Sequence, residues 1–135
     1  MSVGPTDIYD NPANTFVAGF IGSPAMNLIE GTLDSGTFTA ENVSISGLPT
    51  QHSGDVTLGF RAEDANVTEG AGQANSTVYS LELLGEATMV TMRAGGTILS
   101  IKSGKEYRTK IGDPVSAEIP TAACHLFNTE TGERL

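Results

Sequence analysis

The sequence predicts an all-β domain, a small barrel or sandwich of short antiparallel strands behind one N-terminal helix. Three observations carry that prediction. Several short apolar runs alternate with a period of two, the pattern of strands with one buried face. Sixteen glycines fall mostly between those runs, where tight turns need them. One stripe with helical spacing lies ahead of Pro24, and no second one follows.

Residues 6 to 22 read as the helix. Asn11 can cap it, and Pro12 suits the first helical position because its missing N–H would be unbonded there anyway. Ala13, Phe16, Val17 and Phe20 then fall at i, i+3, i+4 and i+7, which places them on one face. Gly22 suits the C-terminal cap and Pro24 blocks continuation.

The strands come next. "MNLIEGTL" is the first. "GTFTAENVSIS" alternates in part, with Val43 and Ile45 on one face. "DVTLGF" puts Val56, Leu58 and Phe60 on one face, and "VYSLELL" sets Tyr79, Leu81 and Leu83 against Ser80 and Glu82. "EATMVTMRAGGTILSIKSG" reads as a hairpin about Gly95-Gly96. "PVSAEI" aligns Val115, Ala117 and Ile119, and "ACHLF" is the last strand. Residues 64 to 76 carry little large apolar surface and read as a mobile surface loop. The predicted core draws on Val56, Leu58, Phe60, Tyr79, Leu81, Leu83, Val90, Leu99 and Ile101.

Chemistry-bearing patterns are few. The net charge is −9, and the seven basic residues read as spread from Arg61 to Arg134 without a cluster. Nucleic acid is disfavoured, since its binding rests on phosphate neutralisation, and an anionic membrane surface is disfavoured for the same reason. No run approaches a membrane helix, and no signal peptide opens the chain. The N-x-S/T matches at Asn42, Asn66 and Asn75 read as chance. Two histidines and one cysteine do not make a zinc ligand set. Cys124 and His125 are adjacent, so on a strand they point to opposite faces and do not form a nucleophile–base pair. "SGKE" at 103 to 106 lacks the first glycine of a phosphate loop, and Glu106 stands where a hydroxyl residue would bind magnesium. No catalytic, cofactor-binding or metal residue is predicted.

Four segments resemble, in order, the region that follows the ATPase core in sugar-type ABC importer ATP-binding subunits, the maltose and glycerol-phosphate type. "GPTDIYDNPANTFVAGFIGSPAMNLIEG" resembles the joint after that core. "VTLGFRAED" resembles the family's G-[IFV]-R-P-E motif, with Ala62 in place of the usual proline. "LELLGEATMV" resembles its V-E-x-L-G-x-E-T segment, and "HLFNTETGERL" its closing H-x-F-D-x-x-T-G-x-R-L. Together they cover nearly the whole chain.

The resemblance implies an OB-like small barrel: residues 1–24 would be a helical lead-in from a missing ATPase domain, and 25–135 a transport-associated regulatory domain. Such a domain helps two ATPase subunits stay together as a homodimer and receives regulatory proteins. The full subunit would bind ATP and magnesium, contact ABC permease subunits, and work in the cytoplasm, peripheral to the inner face of the plasma membrane. This chain shows no Walker A loop and no ABC signature, so no ATP hydrolysis is expected of it alone. Ala13, Phe16, Val17 and Phe20 become candidates for interdomain packing, and Arg61 and Glu63 for a structural turn or interface. Two alternatives stand beside this reading: an OB-type domain binding small oxyanions, and a free-standing protein-binding β domain.

Overall fold

The structure, a computed structural model, describes residues 26–135. The predicted helix over 6 to 22, its stripe of Ala13, Phe16, Val17 and Phe20, and the whole 1–24 lead-in lie outside the described residues. Ten strands follow: β1 (Asn27–Asp34), β2 (Thr37–Ala40), β3 (Val43–Ile45), β4 (Gly54–Phe60), β5 (Asn66–Thr68), β6 (Ala74–Leu83), β7 (Ala87–Ala94), β8 (Thr97–Gly104), β9 (Pro114–Glu118) and β10 (His125–Asn128). Two 3-10 turns, Ala62–Asp64 and Thr121–Ala123, interrupt them.

All the ladders are antiparallel. The main path runs β10-β4-β1-β2-β3-β6-β7-β8, and β9 bridges β6 to β5. The path does not return from β8 to β10, so the expected barrel is a wrapped sheet that stays open. Its concave face holds one continuous core. Ile29, Leu33, Phe38, Leu58, Phe60, Val90, Leu99 and Ile101 are fully buried there, as their alternation requires.

A side chain takes over at the gap. Asn27, at the start of β1, donates from its amide nitrogen to the Ser100 carbonyl at 2.9 Å. Its amide oxygen accepts from the Ser100 N–H at 2.8 Å. One asparagine amide thus satisfies both backbone groups that Ser100 turns away from β7, as a neighbouring strand would. The Ala62–Asp64 turn and β5 also pack against β8.

Glycines fix two close approaches. The β7–β8 hairpin pairs from Ala87↔Gly104 to Ala94↔Thr97, and Gly95 and Gly96 between them have φ of 64° and 73°. Two positive φ values in a two-residue loop are what the strand twist favours, and L side chains resist them. Gly59 lies between inward-facing Leu58 and Phe60, so it faces outward. A Cβ there would sit 2.6 Å from Met26 Sδ and 3.1 Å from the Phe127 ring. Met26, Leu28 and Phe127 therefore close over the sheet's outer surface as a second, smaller apolar cluster.

Three expectations need correction. Tyr79 and Leu83 are exposed, at 47% and 73%, not core residues. The β6–β7 register jumps between Val78↔Met92 and Ser80↔Thr91, a bulge at Tyr79. It breaks the period-two count, so Val78 is buried and Tyr79 turns out. Leu83 keeps its parity but lies past the end of the core, while Leu81 is half-buried against it. Residues 64 to 76 are not simply a loop: Asn66↔Glu118, Val67↔Ala117 and Thr68↔Ser116 pair, and Ala74 begins β6. "GTFTAENVSIS" is two strands, β2 and β3, turning at Glu41-Asn42 with Asn42 at φ 62°.

Candidate functional site

The G-x-R-x-E segment forms the corner where β4 leaves the core. Arg61 keeps extended backbone, φ −80° and ψ 146°, and caps the 3-10 turn of Ala62–Asp64. Its carbonyl accepts from the Asp64 N–H at 3.0 Å. Ala62 and Ala65 are buried at 1% and 0%, so the corner is plugged by two methyl groups. Arg61 is itself 2% exposed and has an interaction partner within the fold, whereas Glu63 is exposed. The two proposed partners thus face different environments. Arg61 belongs to the interior of the turn, and Glu63 presents its carboxylate to solvent.

Ala62 stands where a proline would preset φ. Burial of its side chain and the Arg61–Asp64 hydrogen bond hold the turn in its place.

A groove of ≈ 730 Å³ opens between the 48–52 loop and the last strand. Its walls include Leu48, His52, Cys124, His125, Arg134 and Leu135. The fold therefore brings His52 to the same groove as the adjacent Cys124 and His125. They do not form a nucleophilic pair. The Cys124 thiol donates to the Pro120 carbonyl at 3.4 Å, and burial pushes its pKa up to about 11. At neutral pH it stays a thiol, the unreactive form. His125 pairs with Arg134, Nη2 to Nδ1 at 2.9 Å. A guanidinium only donates, so Nδ1 is the acceptor and the neutral ring carries its proton on Nε2. That pairing ties the C-terminal turn to β10. Leu135 N–H reaches the Leu126 carbonyl at 2.9 Å, and Phe127 bridges to Arg134, which covers the outer edge of β10.

Among the described residues no group of three or more His, Cys, Asp and Glu side chains could hold a metal ion.

A nucleotide finds no fit in the "SGKE" run. Ser103 and Gly104 end β8, and Tyr107 N–H folds back on the Gly104 carbonyl at 3.0 Å. The chain then proceeds to β9, so no helix N-terminus follows to receive a phosphate.

Comparison with known proteins fits this architecture. The profile of the MalK OB fold domain matches residues 22–65. The sn-glycerol-3-phosphate import ATP-binding protein UgpC of Ruegeria pomeroyi is 42% identical over 134 residues, covering 97% of this chain and 38% of the relative. The protein of that name from Burkholderia lata is 37% identical, covering 96% and 39%. The uncharacterized ABC transporter ATP-binding protein YcjV of Escherichia coli O157:H7 is 33% identical, covering 94% and 38%. The chain thus spans about two fifths of the length of these relatives. The crystal structure of the cytoplasmic molybdate-binding protein ModG superposes with a TM-score of 0.55 at 17% identity, covering 74% of this chain and 94% of ModG. At that identity the likeness concerns the fold alone. The open β-sheet, the profile match over residues 22–65 and alignments that cover nearly all of this chain but about two fifths of each relative together mark it as an OB-fold domain of the MalK type, akin to that region of ABC importer ATP-binding subunits.

Proposed function

We propose that this chain is the regulatory and dimerisation domain of an ATP-binding subunit that powers import of sugars or related solutes, glycerol 3-phosphate among them. The observation that carries the reading is the 42% identity to UgpC across 97% of the chain. ATP and magnesium belong to a nucleotide-binding domain outside these 135 residues, and this chain does not hydrolyse ATP by itself. Two copies hold together through the β domain in the assembled subunit pair. Permease subunits are reached through the ATPase domain, which places the assembly in the cytoplasm against the inner face of the membrane. Regulatory proteins act on the same domain.

The lead-in over residues 1–24 is the joint, and Ala13, Phe16, Val17 and Phe20 are its packing face. Arg61 acts as the interior brace of the turn, and exposed Glu63 is the member of that motif available to a neighbouring domain. The oxyanion-binding alternative draws on shared fold alone, at 17% identity to ModG.

A chimera tests the reading. The matching region of Ruegeria pomeroyi UgpC is replaced by this chain, and glycerol 3-phosphate uptake is measured in cells lacking the native subunit. Restored uptake is expected. A chimera that accumulates, folds and hydrolyses ATP yet imports nothing overturns it.

A further inference from the structure

The positive charge is less evenly spread than its total suggests. Five of the seven basic residues, Arg93, Lys102, Lys105, Arg108 and Lys110, fall within 93 to 110, beside a single acid, Glu106. That stretch carries a net +4, and the remaining residues carry −13 of the chain's overall −9. All five cations are exposed.

The fold turns this into a surface with apolar anchors. Arg93 and Ile98 are cross-strand partners on β7 and β8, so they share the face opposite buried Met92 and Leu99. Lys102 follows four residues after Ile98 on that same outward face. The Arg93 guanidinium lies over the Tyr79 ring, 5.2 Å from its centroid. On the other side of Val78, Gly112 N–H donates to the Val78 carbonyl and Val78 N–H to the Asp113 carbonyl, both at 2.8 Å. Those bonds set Lys110 and Ile111 next to the Tyr79 bulge. Tyr79, Ile98 and Ile111 remain 47%, 41% and 70% exposed. Asp113 braces the loop, accepting from the Lys110 N–H at 3.1 Å.

We propose that this strip, centred on Tyr79 with Arg93, Ile98, Lys110 and Ile111, docks an acidic peptide segment of another protein that also bears apolar side chains. Aromatic and arginine side chains flanked by charge are the composition of an interaction centre, with the apolar groups supplying contact and the cations supplying steering. Charge complementarity selects the partner's sign and its shape. An anionic bilayer or a nucleic acid is an extended polyanion, and at a Debye length of about 8 Å it would also meet the strongly acidic remainder of the molecule. A narrow acidic peptide meets the strip alone. Glu41 shares a groove of ≈ 460 Å³ with Arg93 and Ile98. It repels a carboxylate there, so the peptide's acids are directed toward Lys102 and Lys110 and its apolar residues toward Ile98.

The test maps amide shifts of the 135-residue chain as a short peptide of alternating leucine and glutamate is added. Shifts are expected at Tyr79, Arg93, Ile98 and 110 to 112, weakening as salt rises. Arg93→Glu with Lys110→Glu, and separately Tyr79→Ser with Ile111→Ser, should each weaken binding by about tenfold or more. These side chains are exposed, and unchanged spectral dispersion checks that each variant is folded. Any of four results overturns the proposal. These are amides that do not move, equal binding of a leucine–lysine peptide, co-sedimentation with phosphatidylglycerol vesicles, or strip shifts that grow with protein concentration when no peptide is present.

Discussion

Asn27 illustrates how much of this fold rests on single side chains. It is 7% exposed, and its amide is saturated by the two backbone groups of Ser100. In the sequence it was one polar letter inside "MNLIEGTL", with nothing to mark it as a link between the first strand and the eighth. Truncation to alanine leaves a donor and an acceptor without partners in a part-buried gap. Such groups cost about 1–3 kcal/mol when stranded. Asn27→Ala should therefore lower the urea midpoint by that amount of stability at unchanged slope. Asn27→Asp should recover only part, because a carboxylate accepts from the Ser100 N–H but faces its carbonyl oxygen with like charge. An unchanged midpoint in Asn27→Ala would show that water replaces the amide. Cys124 was expected on the last strand, but it caps the Thr121–Ala123 turn and β10 begins at His125. Its thiol bonds the Pro120 carbonyl, and the His125 ring bonds Arg134.

Among the elements, legibility followed regularity. Strands whose alternation runs unbroken, β4, β8 and β9, were readable with their inward faces. The β7–β8 hairpin was readable because Gly95-Gly96 can satisfy only a narrow set of turns. β6 was misread at Tyr79 because the bulge there adds a residue without leaving a compositional mark, so Val78 and Leu81 face inward and Tyr79 does not. β5 escaped for another reason. Its three residues gain their place from pairing with β9, some fifty positions away, and not from their own propensity. The basic strip was missed because only the total charge was weighed, and a count over a short window would have found it. The difference between two leucines on the strands that flank β7 is measurable. Leu99→Ala, at 0% exposure, should cost about 2–5 kcal/mol, whereas Leu83→Ala, at 73%, should fall within about 0.5 kcal/mol of the parent. Equal losses in chemical denaturation would mean that the core extends past Leu81 to Leu83.

For the whole molecule, the predicted stripe of Ala13, Phe16, Val17 and Phe20 needs an apolar surface to pack against. Five residues, 21 to 25, separate Phe20 from Met26, so an extended link holds them within about 20 Å. A helix of that length is marginal in water unless its apolar face is covered. Hydrogen exchange on the 135-residue chain should show protection over 13 to 20 that disappears in Phe16→Asp with Phe20→Asp. Persisting protection in that variant would remove the stripe from its packing role. The place where such a lead-in joins the sheet has a mechanical consequence. β1 enters the interior of the strand order and pairs with β4 at seven positions, from Asn27↔Phe60 to Leu33↔Gly54. A pull arriving from ahead of Met26 runs along β1 and loads those rungs in parallel, as shear, while Asn27 passes part of the load sideways to β8. Under such a pull the seam does not unzip one rung at a time, and the load is shared between β4, through seven rungs, and β8, through Asn27.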